Sequence, residues 1–190
     1  MRVIAGSARG VALRAPRDTG TRPVTDRVKE TLFAILGERV LDARVLDLYA
    51  GSGALGIEAL SRGAATATFV ERGRAALAAI RHNLERTGLA GSASVHGADV
   101  LRFLSGAPEA DRYDLVFLDP PYEERAILAP LERVVRLLSP DASVVVKHFW
   151  RTDVPVPPGL ARWRERRFGE TALSFLGRAD ATASDRVEEP

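Results

Sequence analysis

The chain contains no cysteine. Disulfides, zinc–thiolate centres and cysteine nucleophiles are therefore excluded, and the cytoplasm is the expected compartment. No stretch approaches the roughly 20 apolar residues that a membrane helix needs. The opening residues, Met1-Arg2-Val3-Ile4-Ala5-Gly6, lack a long apolar run with a cleavage site, so no leader is expected. Internal repeats are absent as well. The three histidines, His82, His96 and His148, stand far apart in sequence and read as packing or surface residues, so no metal site is expected. Net charge is low, at +2.

What is present suits one domain: 190 residues, 46% hydrophobic and 27% charged, enough apolar material for a core. The charge is unevenly spread. Arg2, Arg9, Arg14, Arg17, Arg22, Arg27 and Lys29 crowd the first 29 residues against only Asp18 and Asp26 before Glu30. Arg162, Arg164, Arg166 and Arg167 form a second group. Arginine suits forked contacts to phosphate and stacking on bases, although a solvated basic surface would show the same composition.

Residues 1–24 read as a basic arm or hairpin built on Arg2–Ala5 and Val11–Arg14. Thr25 or Asp26 caps a helix reaching about Leu36, closed by Gly37. From Arg44 strands and helices alternate. Strands are expected at Val45–Tyr49, Thr66–Val70, Ser94–His96, Tyr113–Leu118 and Ser143–Lys147, with helices at about 55–61, 74–87 and 126–138. Trp163–Phe168 and Thr171–Leu176 read as a closing antiparallel pair. Such alternation implies a doubly wound α/β fold with a mostly parallel seven-stranded sheet, a C-terminal antiparallel strand and an N-terminal hairpin and helix extension. The main domain is expected over 25–177 and a frayed tail over 178–190.

Ligands of such sheets bind at the carboxyl ends of the strands, where Asp47, Gly51, Glu71, Asp99 and Asp119 fall. Gly51-Ser52-Gly53-Ala54-Leu55-Gly56 fits G-x-G-x-x-G between a strand and a helix. The loop alone suits two cofactor classes, because Glu71 also lies at the distance of a dinucleotide's ribose partner. Asp47 separates them. A carboxylate four residues before Gly51 would repel a pyrophosphate but suits the cationic amino-acid part of S-adenosylmethionine, directly or through water. Glu71 then holds the ribose hydroxyls and Asp99 accepts from the adenine amino group. Tyr49, Ser52 and Gly53 complete the expected cofactor set.

Asp119-Pro120-Pro121-Tyr122 follows the buried strand. The prolines stiffen the turn and leave the Pro120 carbonyl free to accept. An aromatic amine needs two acceptors to aim its lone pair at a methyl group, and the Asp119 carboxylate and Pro120 carbonyl supply them. Tyr122 can stack on the base. Asp119 could also take a proton, a step that water can finish. A rigid Pro-Pro turn would explain the tetrad without chemistry, but the neighbouring glycine loop favours the catalytic reading.

The tetrad resembles the D/N-P-P-Y/F motif of amino-methyltransferases. The strings Arg22-Pro23-Val24-Thr25-Asp26-Arg27-Val28-Lys29-Glu30 and Leu46–Ala64 resemble those of 16S ribosomal RNA guanine-N2 methyltransferases of the RsmD type. The likeness spans about residues 2–176. It implies a Rossmann-like class I methyltransferase that uses S-adenosyl-L-methionine, releases S-adenosyl-L-homocysteine and needs no metal. The implied substrate is guanine 966 of 16S rRNA in the small subunit or its assembly intermediate, away from any membrane. A cytoplasmic monomer is the expected form, with Arg9, Arg14, Arg22 and Arg27 on the RNA.

Two departures stand out: Val24 where a threonine is usual, and Lys147-His148 where an acidic residue is. Neither is expected to touch the reacting groups, although Lys147-His148 could alter the rim of the site. The arm supplies none of the expected sheet strands, so removing residues 1–20 is expected to spare the fold and cofactor site while weakening RNA methylation. Rival readings are an amino-methyltransferase for adenine in nucleic acid or a protein amide, a nicotinamide oxidoreductase, and an assembly factor without catalysis. The N-terminal string, the short chain with Asp47, and the intact tetrad argue against them in turn.

Overall fold

A computed structural model describes residues 1–16, 24–108, 110, 112–120 and 125–179. The first helix, α1 (Asp26–Leu36), is capped by the Thr25 side chain and closed by Gly37. The β/α series follows as β1 (Arg44–Leu48), α2 (Ala54–Ser61), β2 (Thr66–Glu71), α3 (Arg74–Thr87), β3 (Ala93–Gly97), α4 (Val100–Gly106), β4 (Tyr113–Leu118), α5 (Arg125–Val134) and β5 (Leu138–Phe149). Strands β6 (Leu160–Phe168) and β7 (Thr171–Arg178) end the described chain.

The sheet runs β3-β2-β1-β4-β5-β7-β6. Pairings from β3 to β5 are parallel, whereas β7 is antiparallel to both β5 and β6. This is the expected mostly parallel seven-stranded sheet. Its central strands are buried on both faces, which is why they read as continuous apolar runs. Alternate residues enter two cores. Val45, Phe69, Phe117, Val145 and Phe175 pack with α1, α2 and the N-terminal hairpin. Leu46, Leu48, Val116, Val146 and Leu176 pack beneath α5.

Several elements differ from expectation, and β6 begins at Leu160 and β7 ends at Arg178, beyond the expected Trp163 and Leu176. Helix α4 was not legible, because a seven-residue element capped by Asp99 buries only Val100 and Leu104 and shows no long periodicity. Helix α5 ends at Val134 in a tighter turn over Val135–Leu137 instead of running on to Leu138. Strand β5 starts at Leu138, ahead of the expected Ser143, across a register shift opposite Tyr113 and Leu115.

The N-terminal arm also corrects an expectation. Its hairpin forms, with Arg2 opposite Ala12, but it is not a free strip. Val3, Ala8 and Leu13 are buried in the main core. The fully buried Glu58 carboxylate accepts from the backbone N–H of Ile4 at 2.8 Å and Ala5 at 3.0 Å, from Arg62 Nε at 2.8 Å and from Lys29 Nζ at 3.3 Å. Lys29 also donates to the Arg2 carbonyl. Gly6, with φ 82°, passes so close to α2 that a Cβ there would lie 1.6 Å from the Ser61 carbonyl oxygen. Removal of the arm is therefore expected to open the core and to take from Glu58 the Ile4 and Ala5 donors, leaving it only Lys29 and Arg62. The sequence concealed this because Val3, Ala8 and Leu13 recur every five residues, which is the period of neither a helix nor a strand.

Candidate functional site

The carboxyl ends of the five parallel strands lie on one edge of the sheet. Past β1 the backbone enters the left-handed region at Tyr49 (φ 58°), Gly51 (φ 56°) and Gly53 (φ 76°). Glycine serves this conformation at no steric cost, whereas Tyr49 adopts it against the preference of an L side chain. Gly56 has a different task. A Cβ there would lie 2.4 Å from Phe69 Cε1 and 3.2 Å from Asp47 Oδ2, so its absence lets α2 pack on β2 and lets Asp47 reach the helix.

Asp47 lies beneath this loop. It is 2% exposed, and its Oδ2 accepts from Gly56 N at 2.9 Å, satisfying one of the orphan donors in the first turn of α2. Burial pushes its carboxyl up to about 8, against the Gly56 hydrogen bond and reinforced by the charges of Asp119 and Glu71. Glu71 binds three backbone donors: Gly51 N at 3.0 Å through Oε2, and Arg72 N at 2.8 Å and Gly73 N at 2.7 Å through Oε1. It thereby ties the glycine loop to the turn after β2. Asp99 is exposed and caps α4, accepting from Arg102 N at 3.1 Å. Burial raises the half-buried Tyr49 phenol; the Asp99 charge adds to the shift and Arg72 opposes it. The Ser52 hydroxyl approaches Met1 Sδ at 3.6 Å, and the Ser52 carbonyl accepts from Asn83 Nδ2 at 2.9 Å.

Asp119 follows β4, still paired to β1 through Asp119 N and the Leu48 carbonyl at 3.4 Å. It shares the α1–α2 face of the sheet with Asp47. Its carboxylate meets a residue that sequence reasoning set aside: Lys147 Nζ donates to Oδ1 and to Oδ2, each at 2.8 Å. The expectation that Lys147 stands clear of the reacting groups is therefore corrected. The missing signal was register. Leu118 lies opposite Val146, so Asp119 and Lys147 are neighbours on adjacent parallel strands. Burial pushes the Asp119 carboxyl up, and the Lys147 charge and hydrogen bond oppose that rise. Pro120 is buried. Pro121 and Tyr122 lie outside the described residues.

His148 points to the opposite face, where Nε2 meets Ser174 Oγ at 2.9 Å and Nδ1 meets the Phe149 carbonyl at 2.8 Å; burial lowers its basicity. Among the described residues no three His, Asp or Glu side chains gather as a metal site, and no helix is long and apolar enough to cross a membrane.

A cleft of about 510 Å³ opens above Lys147, between the start of α1 and the tip of the β6–β7 hairpin; Arg27, Arg167 and Glu170 line it. A larger one of about 630 Å³ is lined by Arg44, His96, Phe103 and Arg112; Asp119 lines neither cleft, but its partner Lys147 lines the smaller one. Of the arginines expected on RNA, Arg27 lines the smaller cleft, Arg9 and Arg14 are exposed on the hairpin, and Arg22 lies outside the described residues. In the second basic group, Arg162 is bound to Glu165, Asp153 and the Val154 carbonyl. Arg167 stacks on Trp150, 3.6 Å from its ring centroid, and Trp163 packs on Phe175.

Residues 1–177 match the family model described as Conserved hypothetical protein 95. The chain is 38% identical over 192 residues to Ribosomal RNA small subunit methyltransferase D of Escherichia coli strain K12, covering 97% of this chain and 93% of that protein. It is 39% identical over 179 residues to YlbH of Bacillus subtilis, covering 92% and 97%. The solved structure of yhhF from Escherichia coli superposes with a TM-score of 0.83 at 38% identity, covering 94% of this chain and 97% of that one.

Proposed function

This chain belongs to the Conserved hypothetical protein 95 family, and from that premise we propose that it transfers a methyl group from S-adenosyl-L-methionine to the exocyclic N2 amine of a guanine in small-subunit ribosomal RNA. The observation that carries the reading is the placement of Asp119 beside the glycine loop, on the same edge as Glu71 and Asp99, in a chain that aligns over 97% of its length with a relative named as a small-subunit ribosomal RNA methyltransferase.

The residues present fit the cofactor. The loop from Tyr49 to Gly53 exposes backbone without side-chain bulk at Gly51, where a Cβ would meet nothing nearer than 4.0 Å. The acids around it favour a cation and disfavour a pyrophosphate. Bound there, S-adenosylmethionine supplies an electrophilic methyl group on a sulfonium. Asp47 offsets positive charge from beneath the loop, Glu71 holds the loop and offers remaining acceptor capacity to the ribose, and Asp99 with Tyr49 borders the adenine. Asp119 and the Pro120 carbonyl accept the two N–H bonds of the target amine and turn its lone pair to the methyl carbon. The amine forms its new C–N bond as the C–S bond breaks, and sulfur keeps the electron pair. The cationic nitrogen then loses a proton to solvent. Alignment and charge placement provide most of the acceleration.

The target base must be splayed out of its RNA at a cost of a few kcal/mol. We assign to Arg27, Arg9 and Arg14 the phosphate contacts that offset that cost. We assign guanine 966 in the small subunit or its assembly intermediate as the target, and a monomer in the cytoplasm as the working form. The test is labelled methyl transfer to small-subunit particles lacking the modification, followed by nucleotide mapping. Label on N2 of a single guanine supports the reading. Label on adenine or on a ribosomal protein overturns it in favour of another amino acceptor.

A further inference from the structure

A buried lysine chelating the proposed acceptor carboxylate is an expensive arrangement unless it is used. Lys147 is 7% exposed and devotes two N–H bonds to the two oxygens of Asp119, both at 2.8 Å. An ammonium has three donors and no acceptor. Its third N–H has no partner among the described residues, and the side chain forms part of the wall of the 510 Å³ cleft. Pockets of roughly 300–1,000 Å³ hold small organic ligands, so Lys147, with Asp119 bound behind it, meets whatever enters this cleft.

We propose that Lys147 is a positioning residue for the methyl-acceptor site, fixing the Asp119 carboxylate in one rotamer so that it orients the target amine as a hydrogen-bond acceptor without serving as its base. This rests on the reading that Asp119 faces the target amine. The geometry supports each part. Chelation by one ammonium stops the carboxylate from turning about its Cβ–Cγ bond and occupies the lone pairs between its oxygens. The outward lone pairs stay open to an amine. A carboxylate neutralised by a lysine is also a weak base, so the proton leaving the methylated nitrogen goes to water.

The charges around Asp119 make the effect of Lys147 readable. Burial disfavours the ionised form of Asp119, and Lys147 from β5 opposes that. Asp47 stands on the neighbouring strand β1, where the charge of Asp119 helps to raise the Asp47 carboxyl. Arg27 of α1 and Arg167 and Glu170 of the β6–β7 tip border the cleft further out. Lys147→Met therefore leaves Asp119 among buried acids with no cation in contact, and the carboxyl takes up a proton at higher pH. Lys147→Arg restores a forked donor.

The experiment has two arms. In the first, the carboxyl carbon of Asp119 is followed by carbon-13 NMR across pH in the wild-type chain, Lys147→Met and Lys147→Arg, without RNA. The expected result is a midpoint at least one pH unit higher in Lys147→Met and close to wild type in Lys147→Arg. Equal midpoints in all three overturn the proposal whatever the substrate is. In the second arm, single-turnover methylation of small-subunit particles is measured between pH 6 and 9. Lys147→Met is expected to be at least tenfold slower at pH 6.5, to recover much of that loss by pH 8.5, and to keep KM for particles within threefold. A uniform loss at every pH, mirrored by lowered thermal stability, assigns Lys147 a purely structural role and overturns the proposal. Wild-type protein that methylates no particle while the NMR midpoints differ as expected sinks the rRNA reading and leaves the Lys147–Asp119 assignment standing.

Discussion

Asn83 holds Arg14 by both backbone groups: its Oδ1 accepts from Arg14 N at 2.8 Å and its Nδ2 donates to the Arg14 carbonyl at 3.0 Å. The same Nδ2 donates to the Ser52 carbonyl at 2.9 Å. One buried amide on α3 therefore joins the end of the N-terminal hairpin to the glycine loop. Asn83→Leu removes all three bonds and leaves backbone groups unpaired, at about 1–3 kcal/mol. Denaturant unfolding should show that loss, and cofactor affinity should fall with it, because Ser52 is no longer held. Unchanged affinity in a destabilised variant would uncouple the hairpin from the loop.

The hairpin should be indispensable to the fold. Glu58→Ala strips the backbone N–H groups of Ile4 and Ala5, Lys29 and Arg62 of their shared acceptor. Breaking a buried ion pair in this way costs about 3–5 kcal/mol. Removing residues 1–13 should be at least as damaging, since Val3, Ala8 and Leu13 leave the core together. A truncated chain that melts with the wild-type midpoint and binds cofactor normally would show that the hairpin only decorates the surface.

Much of this was legible in the sequence. Periodicity and capping placed α1, α3 and β4, because long buried elements with Thr25 and glycine at their ends leave strong local signals. The carboxyl-edge acids followed from strand ends alone. What escaped was set by pairing between distant segments. Lys147 reads as a departure at the end of a strand until the β4–β5 register puts it beside Asp119. Glu58 carries no local signal, because its partners Ile4, Ala5 and Lys29 lie 29 or more residues away in the chain. Asp99 illustrates the intermediate case: its position beyond β3 was visible, but its capping of α4 required a helix too short to announce itself.

Asp47 should make stability depend on pH in a defined direction. Its carboxyl is held at about 8 in the fold against an ordinary 3.8. The folded state therefore binds the proton more tightly than the unfolded chain. The resulting stabilisation is complete below the ordinary value and is lost as pH rises through about 8. Asp47→Asn keeps an oxygen for Gly56 N and removes the titration. Relative to this variant, the wild type should lose at least ~1 kcal/mol between pH 4.5 and 8.5, seen as roughly 2–4 °C in melting temperature. Because a cationic ligand favours the ionised form, S-adenosylmethionine should bind more tightly as pH rises from 6 to 8 and release a proton measurable by calorimetry. Parallel melting curves with no proton release would remove Asp47 from both roles.

Asp119→Asn tests the acceptor with the least collateral damage. Alanine would leave Lys147 buried beside an empty space, mixing a folding defect with a chemical one. Asparagine keeps the shape and one oxygen, but loses the charge and replaces the second acceptor with a donor. That donor points at either Lys147 or the incoming amine, and both are donors themselves. Single-turnover methyl transfer should fall by about 10²–10³, the usual worth of a well-placed electrostatic partner in a closed site. Cofactor affinity measured without RNA should change little, because the contacts expected to hold the cofactor come from Tyr49–Gly53, Glu71 and Asp99. The pH dependence should also flatten at its acidic end, since the titrating carboxyl has gone. A variant that methylates particles within threefold of wild type would show that the amine takes its orientation from elsewhere, with the Pro120 carbonyl the first group to examine.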